Sequence, residues 1–358
     1  MPRLLPEWHP QDAVQLTWPR RDSDWAPTLP AIEAMLEQLA LIISRYQSVI
    51  IGVPDHATGE ALSGRLVARG APPERLRLTV VDADDTWARD HGPLASGDGD
   101  GDGVTFHDLG FNGWGGKFPA DRDNTLTRQL KDAGLIACAT SESAVIMEGG
   151  ALETDGEGTL LTTEACLLNP NRNPSMSRAD IETWLAETLG IQRVLWLQHG
   201  HLEGDDTDSH IDTLARFCDP QTIAYVRCDD PSDAHYAELA AMERELKALT
   251  RADGSPYRLV PLPWPGACHD AEDGHRLPAT YANFLIINGA VLVPVYGDRH
   301  DLAALDALAG AFPDRDVIPV DASAAIVQHG SLHCLTMQWP QGALAAATAT
   351  ASAEGDRR

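Results

Sequence analysis

The stretch His329-Gly330-Ser331-Leu332-His333-Cys334-Leu335-Thr336-Met337-Gln338, near the C-terminus, is the last of five polar motifs that each follow a helix and a strand. Reading it as the end of a repeat, and not as an isolated core strand, decides the fold. Gly330-Ser331 is a small-residue turn that leads to a cysteine flanked by apolar residues, which read as a short strand. Such a turn lets backbone and ligand approach closely. Cys334 is the strongest nucleophile in this stretch, yet an unperturbed thiol is only a few per cent thiolate near neutral pH and needs a partner. A lone cysteine in an apolar run is more often structural; the distribution of the upstream acidic motifs argues otherwise.

The same succession recurs upstream. A strand over residues 13–18 precedes a helix over 30–46, with Ile32, Leu36, Leu39, Ile42 and Ile43 at helical spacing. A β-branched strand over 48–53, a helix over 57–69 and a strand over 75–81 lead to Trp87-Ala88-Arg89-Asp90-His91-Gly92-Pro93. A helix over 122–133 and a strand over 135–139 lead to Met147-Glu148-Gly149-Gly150. A helix over 178–189, with Ser177 as N-cap and Gly190 as stop, leads through a strand over 193–197 to Ser209-His210-Ile211-Asp212. A helix over 233–250 and a strand over 257–262 precede Tyr281-Ala282-Asn283-Phe284, and a helix over 301–312 and a strand over 316–320 precede the cysteine stretch. A period of roughly 55 to 65 residues without a stackable consensus implies divergent modules around an axis more than an open solenoid. Closing the ring would gather Asp90, Glu148, His210, Asp212 and Cys334 at one centre. In a doubly wound sheet the same motifs would line the carboxyl edge of the strands instead.

Composition sets the outer bounds. With 358 residues and 43% hydrophobic content the chain can bury a large core. A net charge of -26 and a pI of about 4.7 argue against nucleic acid and anionic membrane surfaces, and suit a small cationic substrate. No 18-residue apolar run is present, and the first residues lack the apolar segment of a signal peptide, so a cytoplasmic protein is expected. The six cysteines are scattered without a Cys-x-x-Cys pair, which favours reduced thiols over disulfides or zinc. Gly97 to Gly103 alternates acid and glycine as a calcium loop begins, but the twelfth position is Leu109 and a flexible hairpin tip is the better reading. Phe111-Asn112-Gly113-Trp114-Gly115-Gly116-Lys117 is too irregular for a phosphate-binding loop. Residues 1–342 are read as one catalytic domain and 343–358 as a flexible tail.

The chemistry follows from one thiol, one histidine and two or three carboxylates. If residues 209–217 form a strand, His210 and Asp212 share a face. Taken singly they could be metal ligands, an acid/base histidine beside a binding carboxylate, or a surface pair. Trp87 and Asp90 before Gly92-Pro93 read as an aromatic wall and a carboxylate on a rigid turn, and Glu148 as a site carboxylate or an acid at a bend. A guanidinium substrate fits this inventory, because carboxylates bind it through paired charge-assisted hydrogen bonds. The bound cation would favour the thiolate of Cys334, while His210 protonates the leaving amine and later activates water. Arg216 shares the face by alternation, but at about 3.3 Å per residue it lies about 13 Å beyond Asp212, and is read as structural and paired with an acid.

Pro6-Glu7-Trp8, Trp87 to Pro93, Glu148-Gly149-Gly150, Thr162 to Pro174, His210-Ile211-Asp212 and His333-Cys334 together resemble, in order, the agmatine deiminases and more broadly the bacterial peptidylarginine-deiminase-type family of guanidino-group-modifying enzymes. The resemblance runs from about residue 6 to residue 340. It implies an α/β fold, the five-bladed propeller of the pentein superfamily with pseudo-fivefold modules, and a covalent mechanism that needs neither cofactor nor metal. By that resemblance Cys334 is the nucleophile, His210 the general acid/base, Asp90 and Asp212 the guanidinium ligands, Glu148 a further site carboxylate, and Trp87 and Trp114 pocket residues. The reaction implied converts agmatine to N-carbamoylputrescine and ammonia; arginine or peptidyl-arginine deimination, or amidine transfer, stays open within the fold. Two departures, Gln328-His329-Gly330 in place of a longer glycine run and Thr213 in place of asparagine, touch the pocket wall and so the substrate. Outside the fold, the same residues could serve a metal-dependent hydrolase ligated by His210, Asp212, Asp90 and Glu148, or a non-catalytic sensor of guanidines or polyamines; thiol alkylation and chelation separate these. The partner expected is the small guanidino substrate, with no nucleic acid and no membrane, and homo-oligomerisation is left open.

Overall fold

The computed structural model describes residues 2–98 and 103–346. Among them are five sheets of three or four strands and one two-stranded ribbon, with helices between the strands, so the chain is α/β. One local plan accounts for all five sheets. An antiparallel pair is followed by a helix that returns the chain to a third strand lying parallel to the second, as in Ala215–Asp219, Thr222–Val226, the helix Tyr236–Ala248 and Arg258–Leu262. Leu285–Ile287, Ala290–Val295, the helix Asp301–Ala311 and Asp316–Asp321 repeat it. The antiparallel partner of Gln11–Thr17 is supplied by the far end of the chain, Met337–Pro340, with Met337 opposite Gln15. The two ends of the domain are thus stitched into one sheet.

Local chemistry explains why these segments form. Leu29–Ile43 buries Ile32, Leu36, Leu39 and Ile43, one apolar stripe at helical spacing, in a core shared with Val49 and Ile51. Arg178–Leu189 starts on a reciprocal cap, in which Ser177 and Asp180 each accept the other's backbone N–H, and ends on Gly190 in the left-handed region at φ 65°. No helix is long and apolar enough to cross a membrane among the described residues.

Three expectations are corrected. Residues 135–139 are not the second module's strand: Ala139–Ile146 is, and the apolar run before it meets the C-terminal segment. That contact also revises the tail, because Ala343 is buried and Ala345 N–H donates to the Leu135 carbonyl at 2.8 Å. Residues 347–358 lie outside the described residues, as do 99–102 of the acidic glycine loop, whose flanking strands Leu94–Gly97 and Thr105–Gly110 pair antiparallel. Residues 209–217 are not one strand but a 3-10 turn, Ile211–Thr213, and then a strand from Ala215. Polar Ser209, Asp212 and Thr213 break the alternation a strand needs.

Arg216, expected to be structural, is the centre of a buried ionic knot. Its Nη2 donates to Glu7 at 2.8 Å, its Nε pairs with Glu153, and its Nη1 donates to the Phe284 carbonyl at 2.6 Å. Glu153 also accepts Phe217 N–H at 3.0 Å, and Glu7 accepts Ile286 N–H at 2.5 Å. One guanidinium therefore joins the N-terminal segment to parts of three sheets. Removing one partner of such a knot leaves carboxylates buried without a counter-charge, and Arg216→Ala should cost about 3–5 kcal/mol of unfolding free energy in urea titration. A loss below about 1 kcal/mol would mean the pairing is dispensable.

Candidate active site

The residues that sequence reasoning grouped do meet, although the local structure that brings them together differs from the expectation. Asp90 lies in the single turn Ala88–His91 and accepts Gly150 N–H at 2.9 Å and Trp114 Nε1–H at 3.0 Å. His210 Nδ1 is 3.7 Å from Asp90 Oδ1. Asp208 and Ser209 adopt φ of 66° and 67°, and this left-handed turn delivers His210 to the site without a strand. Gly150 sits among the three side chains: a Cβ there would lie 2.5 Å from His210 Nδ1, 2.9 Å from Asp90 Oδ1 and 3.1 Å from Asp212 Oδ2. Any other residue would push the cluster apart, which accounts for the glycine after Glu148-Gly149.

Cys334 is on a tight turn ahead of Met337–Pro340, not on a strand. Its Sγ is 3.4 Å from Asn283 Oδ1 and 3.9 Å from Asp212 Oδ2. Asn283 Oδ1 also accepts His333 N–H at 2.9 Å, so one buried amide sets the turn that carries the thiol. A cavity opens over Cys334 and Asp90, walled by Trp87 and Trp114. Trp87 is held by its Nε1–H to Asp85 at 3.0 Å, and Gly330 must lack a Cβ because one would stand 2.1 Å from the Trp87 ring. The cavity rim carries Asp24, Asp85 and Asp206, with His329 as its only basic side chain among the described residues.

Glu148 is completely buried, but both its oxygens accept from Arg172 Nε, at 2.8 and 2.9 Å. Arg172 also donates to Asp208 at 2.7 Å and to the Thr207 carbonyl at 2.9 Å, so it braces the loop that precedes His210. Glu148, Cys166 and His210 offer ligand atoms within 4.8 Å of one another. That set does not match the four-residue metal reading, and the guanidinium on Glu148 already supplies the positive charge a metal ion would bring.

Electrostatics follow from this burial. The thiol of Cys334 is pushed well above its usual value by burial and then by the charges of Asp212 and Asp90. Burial also raises Asp212, but the His333 hydrogen bond and charge outweigh it and hold the carboxyl below its usual range. Burial pulls His210 down, yet the Asp90 charge carries it well above a free imidazole, so it holds a proton at neutral pH. Asp90 itself is raised by burial more than His210 lowers it. Both ring nitrogens of His210, and Asp212 Oδ1, have no hydrogen-bond partner among the described residues. Buried acceptors and donors of this kind are costly unless something pairs them.

Sequence reasoning missed Asn283, Arg172, Glu7 and His333 as site residues. Asn283 occupied the fourth module's motif position, the one signal that could have found it; Arg172, Glu7 and His333 stood in stretches quoted for resemblance without a role.

The sequence model of the Porphyromonas-type peptidyl-arginine deiminases matches residues 3–340. The agmatine deiminase of Stutzerimonas stutzeri is 36% identical over 355 residues, covering 93% of this chain and 94% of its own. Among solved structures, a candidate arginine deiminase from Porphyromonas gingivalis is 52% identical with a TM-score of 0.88, over 96% of this chain and 100% of that one. A cysteine-to-serine variant of C. jejuni agmatine deiminase with substrate bound is 36% identical with a TM-score of 0.85, over 95% of this chain and 96% of that one. With the sequence matched almost end to end, the chain belongs to the Porphyromonas-type peptidyl-arginine deiminase family and is similar along nearly its whole length to agmatine deiminases.

Proposed function

We propose that the protein is an agmatine deiminase, built as one five-bladed α/β propeller over residues 1–342 with the segment through Ala345 packed onto it. The observation that carries this reading is the cluster of Asp90, Asp212 and His210 around Gly150, beside the buried thiol of Cys334. The shared plan of the five sheets and the pairing of the two chain ends support the propeller. The likeness to the agmatine deiminases of S. stutzeri and C. jejuni supports the substrate.

In this mechanism Asp90 and Asp212 hold the guanidinium in the plane of its N–H groups. Burial and then the two carboxylates keep Cys334 protonated; the substrate's positive charge offsets the carboxylates, so binding itself promotes the thiolate, the thiol proton passing to solvent water. Sulfur attacks the guanidinium carbon to give a tetrahedral adduct. His210 gives its proton to one terminal nitrogen, the C–N bond breaks, and ammonia leaves an amidino-cysteine that still carries the alkylamine. Water then adds to the same carbon, giving a proton to His210. The C–S bond breaks as the adduct's hydroxyl proton passes to the departing sulfur, releasing the ureido product and restoring the Cys334 thiol. Trp87 and Trp114 flank the planar group, and Glu148 acts through Arg172 on the loop that holds His210.

Agmatine and arginine differ only at the far end. Arginine carries a carboxylate there, whose unpaired burial costs several kcal/mol. The rim offers it Asp24, Asp85 and Asp206 against His329, whose Nδ1 already lies 2.7 Å from the Gly204 carbonyl. Ammonia release should therefore show kcat/KM at least about tenfold higher for agmatine than for arginine, or about 1.4 kcal/mol. Comparable values, or a preference for arginine, would place the protein with the arginine deiminases of the fold.

The thiol makes a second prediction. A group whose ionisation is pushed up is protonated at neutral pH and ionises only as pH rises further. Alkylation of Cys334 by iodoacetamide in the substrate-free enzyme should still be accelerating above pH 9. A rate that levels off below pH 8 would mean that the free enzyme keeps a thiolate, and that substrate charge is not what ionises it.

A further inference from the structure

His333 stands next to the nucleophile, and its ring lies between two carboxylates. Nδ1 is 2.7 Å from Asp212 Oδ2, and Nε2 is 2.5 Å from Glu7 Oε2. A neutral imidazole has one N–H and one bare nitrogen. A bare nitrogen facing a carboxylate oxygen sets two acceptors against each other. Glu7 cannot relieve this by holding the proton at low cost, because its surroundings are donors: Ile286 N–H at 2.5 Å, Arg216 Nη2 at 2.8 Å and Arg89 Nη2 at 3.5 Å.

Charge counting leads to the same place. Six ionisable side chains pack together beneath the site, each less than a tenth exposed: Glu7, Glu153, Asp212, Arg89, Arg216 and His333. Three are acids and two are guanidinium groups. A buried cluster with an uncompensated charge is disfavoured, and within these six His333 is the group that can supply the third positive charge.

We infer that His333 is a doubly protonated positioning residue, which pins Asp212 by Oδ2 and so presents Oδ1 to the guanidinium. It never touches the reacting atoms. Asp212 Oδ1 has no partner among the described residues, whereas Oδ2 is taken. Oδ2 also lies 3.9 Å from the Cys334 Sγ, so the oxygen that His333 pins is the one that faces the thiol. Glu7 holds the other side of the ring, so the N-terminal segment reaches the substrate through two hydrogen bonds. Arg89 secures the backbone of the same residue, its Nε donating to the His333 carbonyl at 3.3 Å. The inference rests on the proposed deiminase reading for the meaning of Oδ1, but not for the state of the ring.

Two variants separate a positioning role from a packing role. In His333→Asn the amide nitrogen takes the place of Nδ1 and can still donate to Asp212. In His333→Gln it takes the place of Nε2 and serves only Glu7. With agmatine as substrate, KM should be at least about tenfold higher in H333Q than in H333N, with kcat changed less. Equal KM values in the two folded variants would overturn the inference while leaving wild-type turnover, and the functional reading, intact. Should either variant fail to fold, nitrogen-15 NMR of histidine-labelled wild-type enzyme decides. The ring giving the downfield protons of short hydrogen bonds should show both nitrogens protonated at neutral pH. One bare nitrogen in that ring would overturn the inference. Because the spectrum needs no turnover, an enzyme inactive on every guanidino compound would defeat the functional reading and leave this test standing.

Discussion

The structure depends on one buried carboxylate near the start of the chain. Glu7 accepts from the backbone of Ile286, pairs with Arg216 and faces His333. Burial raises its proton affinity, but His333 and then Arg216 and Arg89 overcome this and hold it well below the usual carboxylate range. No apolar residue could replace it, since Arg89, Arg216 and His333 would then share two carboxylates among three positive charges. The same carboxylate that ties the N-terminal segment into the fold therefore sets the charge state beneath the active site. Stability and chemistry share a single electrostatic constraint.

The site inverts the usual way of activating a cysteine. Enzymes often lower a thiol's pKa with a nearby cation. Here burial raises it, and the charges of Asp212 and Asp90 raise it further. Such a site is quiet until a cation enters, which limits unwanted thiol chemistry and ties activation to recognition. The cost falls on any neutral ligand, which gains nothing from the two carboxylates. His210 completes the arrangement: the charge of Asp90 keeps it protonated against its burial, ready to meet a leaving nitrogen.

Much of this was legible in the sequence, and the failures share a cause. Helices with one apolar stripe, such as Leu29–Ile43, and those with a cap and a glycine stop, such as Arg178–Leu189, were readable because their signals are local. So was the convergence of Asp90, His210 and Cys334, through their equivalent places in the first, third and fifth modules. Residues 209–217 looked like a strand because alternation was assumed; two left-handed residues and a 3-10 turn deliver the same side chains by another path. The run at 135–139 looked like a strand because its apolar residues await a partner 200 residues away, at Ala343 and Leu344. Arg172, Asn283 and His333 act through partners 24 to 326 residues distant in sequence, and no spacing rule anticipates such contacts.

The central claim is that Cys334 becomes covalently amidinated. Acid quenching of enzyme mixed with agmatine, followed by proteolysis and mass spectrometry, tests it directly. The account predicts that the peptide bearing Cys334 gains the mass of agmatine less one ammonia, and that the adduct decays as ureido product forms. An adduct on Cys166, or full product formation with no cysteine adduct in a quench fast enough to sample the first turnover, would contradict it.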